Sequence, residues 1–292
     1  MTVHIVTDSG TDVGLSSEAA KGLNIHIVPL VVSLEGSSYR EGLDIKPEEF
    51  YSLLERSEEL PTTSQPSAGA FAELYRSLAK PGDEILSIHM SSGLSGTYAS
   101  AQAGAEMVPE ARVTHVDTKT LSAAAGWQVV AAARAARAGW PTYKILELLN
   151  RIGIASESMY TLRELKYLIH GGRISHMRGL IAQALNIKPI IGVEKLHGTY
   201  VQKGSVRSFA RALRSLADQI REHVEEGSAI RVQVLHANNP DGANQLRSMI
   251  DERYQCDWLP LGPMSLVLGA HTGWSMVGVA FAPQSTFDDL PD

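Results

Sequence analysis

The first half of the chain alternates short apolar, β-branched runs with amphipathic stretches. Val3 to Thr7, Ile25 to Leu34, Glu84 to His89 and Arg112 to Val116 read as buried strands. Between them, Pro47-Glu-Glu opens a helix through Leu54, with proline in the first turn, where its missing N–H costs nothing. Pro66 opens a second helix, in which Phe71, Leu74, Tyr75 and Leu78 fall on one apolar stripe. Thr97 to Met107 is a third, and a long Ala-rich helix ends near Gly139. Strands alternating with helices predict a parallel sheet covered on both faces.

The second half reads differently. A helix from Leu162 to Ile169 stops at Gly171-Gly172, a C-terminal capping signal. Ile187 to Val193 and Thr199 to Gln202 flank Leu196-His-Gly198, a hairpin turn. A long helix from Val206 to Val224 follows. Ile230 to Leu235, Ser265 to Leu268 and Val277 to Phe281 are further strands, with a helix near Ala243 to Glu252 among them. Hairpins mixed with helices predict a mixed sheet. The expected architecture is α/β, with a parallel-sheet domain over residues 1–155 and a mixed-sheet domain over 156–292. Gln284 to Asp292 reads as a loose tail.

Composition narrows the function classes. The 292 residues give ample core material, and 26 Lys+Arg against 32 Asp+Glu leave a net charge of −6. That mildly acidic, unsegregated balance argues against a nucleic-acid surface. The single cysteine, Cys256, excludes an internal disulfide and a cysteine metal cluster, and suits a reducing compartment. The N-terminus runs straight into a strand without a leader pattern, and no stretch approaches the ~20 apolar residues that span a bilayer. A soluble, cytoplasmic protein without stable membrane insertion is expected.

Three loops combine hydroxyl residues with glycine or proline just ahead of a helix: Asp8-Ser-Gly-Thr11, Pro61-Thr-Thr-Ser-Gln-Pro66 and Ser91-Ser-Gly-Leu-Ser-Gly-Thr97. Helix N-termini leave N–H groups unpaired and favour anions, and hydroxyls add donors without charge. Each loop alone is equally well a helix cap; together they suggest a site at the carboxyl ends of parallel strands. Gly171-Gly-Arg-Ile-Ser175 adds a cation, and Gly269-Ala-His-Thr-Gly273 sets a histidine between glycines, read as a turn between strands.

Sharper motifs are absent. Asp8-Ser-Gly10 occurs once, whereas aspartic-protease chemistry needs two carboxylates sharing a proton. There is no phosphate-cradling or dinucleotide glycine motif. Gly93-Leu-Ser-Gly-Thr97 has threonine where a hydrolase elbow ends in glycine. The ten histidines are scattered, so no metal site is expected.

Taken in order, Ile5-Val-Thr-Asp-Ser9, Tyr39-Arg-Glu-Gly-Leu-Asp-Ile45, Pro61 to Ser67, Ser91 to Tyr98, Val116-Asp-Thr118, Gly171 to Ser175, Ile187-Lys-Pro-Ile-Ile191 and His271-Thr-Gly273 resemble the DegV family of fatty-acid-binding proteins. The resemblance implies a three-layer N-terminal domain, a two-layer C-terminal domain, and one long-chain fatty acid buried in a tunnel. It implies no cofactor, no catalytic residue, and a partner: a dihydroxyacetone-kinase-like fatty acid kinase that phosphorylates the bound carboxylate to an acyl phosphate. It assigns Thr63, Ser64, Ser92, Gly93, Ser95, Gly96, Thr97, His271 and Thr272 to the ligand. Arg173, Arg207 and His271 would face phosphoryl transfer. Where the family continues His-Thr-Gly with Pro-Gly, this chain has Trp274-Ser275.

Physical chemistry supports such a ligand. About fifteen methylenes at ~0.8 kcal/mol each offer ~12 kcal/mol gross on burial, before binding costs. Hydroxyls and a helix N-terminus would hold the carboxylate without a permanent counter-ion. Two rivals make distinct demands. An acyl hydrolase or transferase would pair Ser92 or Ser95 with His271. A polar-anion binder would need cations that neither Thr62 to Ser67 nor Ser91 to Thr97 contains.

Overall fold

In the computed structural model, residues 2–174, 177 and 187–291 are described. Parallel strands β1 (Val3–Asp8), β2 (Ile25–Val28), β6 (Glu84–His89) and β7 (Val113–Asp117) form a sheet in the order β2-β1-β6-β7. Strand alternation sends Val6, Val28 and Ile85 to one face, where they pack with α3 (Ala68–Leu78) and α4 (Thr97–Glu106). Ile5, Leu86 and Ile88 go to the other, against α5 (Ser122–Arg137) and α6 (Thr142–Ala155). That makes three layers.

Beyond Ala155 the chain enters a mixed sheet. Strands β8 (Glu157–Thr161), β9 (Lys188–Val193), β10 (Tyr200–Val206), β11 (Ala229–His236), β12 (Gln255–Trp258) and β14 (Val277–Pro283) order as β10-β9-β8-β14-β11-β12, with β13 (Gly262–Pro263) also on β11. Only the β11 pairings with β12 and β13 are parallel. One face is covered by α8 (Phe209–Gln219) and α9 (Pro240–Asp251), through Leu213, Leu216, Leu246 and Ile250. The opposite face, with Tyr160, Ile191 and Tyr200, joins the core that holds Ile5, Leu86 and Trp127. The two sheets thus share one apolar interior.

A third, small antiparallel sheet positions the site. It comprises β3 (Val31–Leu34), β4 (Ser37–Arg40) and β5 (Thr62–Ser64), in the order β4-β3-β5. Helix α10 (Leu266–Thr272) packs against β3 and β5.

Several expectations are corrected. Ser265 to Leu268 is the start of α10 rather than a strand; a short, fully buried apolar run has the same pattern in either state. His271 therefore ends a helix and does not sit in a turn between strands. Ile25 to Leu34 is two strands, broken at Pro29-Leu30, and Thr62–Ser64 is a strand because β3 offers it a partner. The helix expected from Leu162 is α7 (Lys166–His170) alone. The helix expected from Val206 begins after Ser208, whose hydroxyl accepts the N–H of Arg211 at 3.3 Å; Val206 is held in β10 by Lys188. The expected loose tail opens with a 3-10 turn, Gln284–Phe287, whose Phe287 is buried against Trp127 and beneath Arg231. Asp292 lies outside the described residues, as does Ser175 of the glycine-arginine segment. Strands β4, β8 and β12 and helix α6 carried too little alternation or stripe to be expected.

Candidate functional site

The β1 loop builds a floor. Asp8 accepts the N–H of Gly10 on one oxygen, and Met90 N–H plus His89 Nδ1 on the other, all at 3.0 Å. His89 Nε2 meets Ser87 Oγ at 2.6 Å, and Ser87 meets the Tyr75 hydroxyl at 2.6 Å. This order of carboxylate, imidazole and hydroxyl resembles hydrolytic machinery, but every member is fully buried and Tyr75 closes the chain. Its work is structural: it fixes Met90 and the loop that follows.

Above Met90 lies a polar pocket of about 250 Å³. Thr63, Ser64 and Gln65 line it from β5 and its exit, and Leu94 and Ser95 from the loop after β6. Arg173, Tyr200 of β10, and Val267, Leu268 and His271 of α10 close it. Thr63 Oγ1 meets His271 Nε2 at 2.8 Å. The ring is 8% exposed, its Nδ1 has no hydrogen-bond partner, and the bare face of Gly171 lies against it. Burial first, then Arg173 and His170, push the His271 pKa down to about 4, so the ring is neutral at pH 7. Arg173 donates to Gly171 O at 2.6 Å and to Leu94 O at 3.5 Å, and it is the one lysine or arginine lining this pocket among the described residues.

A second, apolar space adjoins it, a slot of about 40 Å³ between the two halves. Its walls include Leu121, just before α5, and Ala123 of α5, Tyr160 of β8, Val193, Leu235 and Ala280 of the mixed sheet, and Met159, Met264 and Met276. Tyr200 and Leu268 line both spaces, so the polar pocket and the apolar slot are neighbours that meet at these two side chains. The three methionines give walls that re-pack at small cost.

The expected residues divide into two groups. Thr63, Ser64, Ser95, Arg173 and His271 meet in the polar pocket, and Thr272 lines the slot, its hydroxyl donating to Leu268 O at 3.0 Å. Ser95 Oγ pairs with Thr97 Oγ1 at 2.9 Å, and Thr97 is buried beneath it. Ser92 turns away: exposed, it bonds to Asp117 and lies 3.3 Å from Lys119 Nζ. Gly93 allows the close approach of the backbone at His197-Gly198, and Gly96 that of Gln65; neither lines the pocket. Arg207 is exposed in the turn between β10 and α8 and does not line it either. Neither Ser92 nor Ser95 bonds to His271, whose Nε2 is taken by Thr63. Trp274 and Ser275 shape the turn after α10. Trp274 O accepts Asn238 N–H at 2.7 Å and Ser275 Oγ accepts Arg163 N–H at 3.2 Å.

Sequence reasoning missed Gln65, Met90 and Tyr200 as pocket residues. It placed Arg173 at the partner's side and not in the pocket. Gln65 stood inside a flagged loop, whereas nothing local marks Tyr200. Among the described residues there is no group of three or more His, Cys, Asp or Glu able to hold a metal, and no helix long and apolar enough to cross a membrane.

Comparison with known proteins fits this geometry. The family model described as "Uncharacterised protein, DegV family" matches residues 2–284. A DegV domain-containing protein of Staphylococcus aureus (strain MRSA252) is 35% identical over 280 residues, covering 94% of this chain and 96% of that protein. A DegV family protein from Thermus thermophilus, solved for its fatty acid binding, superimposes with a TM-score of 0.87 at 30% identity, covering 97% of this chain and 100% of that one. DegV from Bacillus subtilis, a fatty acid binding protein, gives a TM-score of 0.86 at 28% identity over 97% of this chain and 100% of its own.

Proposed function

The chain belongs to the DegV family, and from that premise we propose that it binds one long-chain fatty acid, carboxylate in the polar pocket and tail in the apolar slot. The observation that carries this reading is the junction of the two spaces at Tyr200 and Leu268, which suits a molecule charged at one end and apolar along the rest. Thr63, Ser64 and Ser95 offer hydroxyl donors, Arg173 one positive charge, and the neutral His271 imidazole a polar partner through Thr63. A carboxylate there is matched by charge-assisted bonds and not left bare. The ligand lies between an N-terminal domain of residues 1–155 and a C-terminal domain of 156–292.

The same reading makes the protein a carrier and not an enzyme. Ser92 is drawn away to Asp117, and neither Ser92 nor Ser95 bonds to His271, so neither has a general base. We infer that the held carboxylate is offered to a separate dihydroxyacetone-kinase-like fatty acid kinase for conversion to an acyl phosphate. His271 and Arg173 stand at the headgroup, and Arg207 offers an exposed charge for the encounter. The lone, half-buried Cys256 suits a reducing, cytoplasmic setting.

Native mass spectrometry of the purified protein, with released lipids identified, tests the binding. One fatty acid per chain is expected; an empty protein that also refuses added palmitate and oleate would refute it. Trapping of acyl phosphate with hydroxylamine, in the presence of such a kinase and ATP, tests the presentation. No product above a control lacking the carrier would refute that part alone.

A further inference from the structure

Helix α10 borders both the polar pocket and the slot: Val267, Leu268 and His271 line the first, and Leu268 and Thr272, with Met264 just ahead of the helix, the second. Both of its ends are tied to the small β4-β3-β5 sheet. At the C-terminal end His271 meets Thr63 of β5. At the N-terminal end stands Glu41, the residue after β4, whose carboxylate accepts Leu266 N–H on one oxygen and the Ser265 hydroxyl, at 2.9 Å, on the other. Ser9 Oγ donates to that second oxygen at 2.6 Å. Asp12 completes the seat by accepting Ser265 N–H at 2.7 Å and Ser122 Oγ at 2.6 Å. Tyr51 of α2 (Pro47–Arg56) lies against Gly269 and donates to the carbonyls of Met264 and Ser265 at 3.1 and 3.2 Å.

Two carboxylates therefore share one helix start. Each residue is half-buried, with its carboxyl group turned into the protein. The unpaired N–H groups of a first helical turn favour one negative charge. A second must be neutralised by something else. The charged and titratable groups facing the pair are Asp8, which adds negative potential to both, and Tyr51, whose own pKa is raised well above its usual value, by burial and by the two acids. Ser9, Ser122 and Ser265 are neutral, and each hydroxyl oxygen also accepts a proton's hydrogen bond. Burial pushes Asp12 up to about 8 and Glu41 up to about 7, each against the opposing effect of its serine bonds. Near neutrality the pair keeps a proton that no other group in reach would take.

We propose that Glu41 and Asp12 are positioning residues of the fatty-acid site, a protonated clasp that seats α10 so that Leu268, His271 and Thr272 hold the ligand, and that releases the helix when both acids ionise. The inference rests on the fatty-acid reading and adds a dependence on proton concentration to it. The sign follows from linkage: both acids are raised above their ordinary carboxylate values when the helix is seated, so the seated helix binds more protons than the released one. Ligand retention is therefore fullest near pH 4, falls progressively as pH rises and reaches its floor past about 8.

Displacement of a fluorescent fatty acid from the full chain, measured from pH 6 to 9.5, tests it. For the unaltered protein, affinity should fall between pH 6 and about 8, by up to about tenfold per pH unit for each linked proton, and level off above about 8. Glu41→Gln, which keeps an acceptor and adds a donor, should flatten the profile, and Asp12→Asn provides the same test should Glu41→Gln not fold. Calorimetry in two buffers of different ionisation enthalpy should show proton uptake on binding near pH 6 that fades above about pH 8. Profiles of the variants that run parallel to that of the unaltered protein, or the absence of proton uptake, overturn the clasp while leaving the carrier reading intact. A folded protein that binds no fatty acid at any pH overturns the carrier reading, and the clasp with it.

Discussion

Gly171→Ala isolates the geometry of the headgroup. Gly171 has an ordinary helical backbone, with φ −70°, so alanine meets no conformational penalty there. The obstacle is the His271 ring: an added methyl carbon would lie 2.8 Å from Cε1 and closer still to Nδ1. Ordinary contact begins at 3.4 Å, so the ring must retreat, most of all at Nδ1. Retreat in that direction drives Nε2 out of register with Thr63, whose bond is 2.8 Å long. Overpacking costs about 1–3 kcal/mol and the lost hydrogen bond about 0.5–1.5 kcal/mol, so stability should fall by roughly 2–4 kcal/mol. For a chain of this size that is a Tm drop of about 4–10 °C. If Thr63 and His271 jointly orient the ligand carboxylate, fatty acid affinity should fall about three- to tenfold as well. Thermal unfolding monitored by circular dichroism and fluorescent fatty acid displacement read the two effects. A variant with unchanged Tm and unchanged affinity would refute the argument that His271 is held between Gly171 and Thr63 for the ligand.

Other consequences follow from the same contacts. Arg173→Gln should weaken long-chain fatty acid binding by about fivefold to tenfold while leaving Tm nearly unchanged, because the half-exposed guanidinium supplies charge to the ligand and little packing; equal affinity by displacement assay would remove Arg173 from the site. Ala280→Phe puts a ring into the space that the tail would take in the apolar slot and should lower affinity more than tenfold; retained binding would mean that the tail lies elsewhere. The His271 and His115 pKa values are both lowered to about 4, chiefly by burial. The folded state thus binds fewer protons than the unfolded one between pH 4 and 6.5, and stability should rise with pH across that window. Urea midpoints of the unaltered protein should rise relative to those of His271→Gln as pH increases from about 4 to 6.5; a difference independent of pH would contradict this.

Much of the scaffold was legible because its signals are local. The Phe71 stripe, the proline before Glu48 and the β-branched run of Glu84 to His89 are decided by period and propensity, and the structure has α3, α2 and β6 there. The failures share a cause. Ser265 to Leu268 is helical because acids more than two hundred residues earlier cap its first N–H groups, which no window of sequence contains. Thr62–Ser64 is a strand because β3 lies beside it. The site shows the same division. Hydroxyl loops announced Thr63, Ser64 and Ser95, but Tyr200 enters only because a hairpin folds back over the pocket. Ser92 looked equivalent to Ser95 until Asp117 and Lys119, brought alongside by β7, drew it outward.

The central claim is a location as much as a ligand: carboxylate beside Thr63, Ser95 and Arg173, tail past Tyr200 and Leu268 into the slot. A crystal structure with an ω-brominated long-chain fatty acid tests both ends at once. The account predicts a bromine anomalous peak in the apolar slot, among Leu121, Val193 and Ala280, and a carboxylate within hydrogen-bonding distance of Thr63 or Ser95. Bromine on the outer surface, or a headgroup away from the His271 pocket, would contradict it.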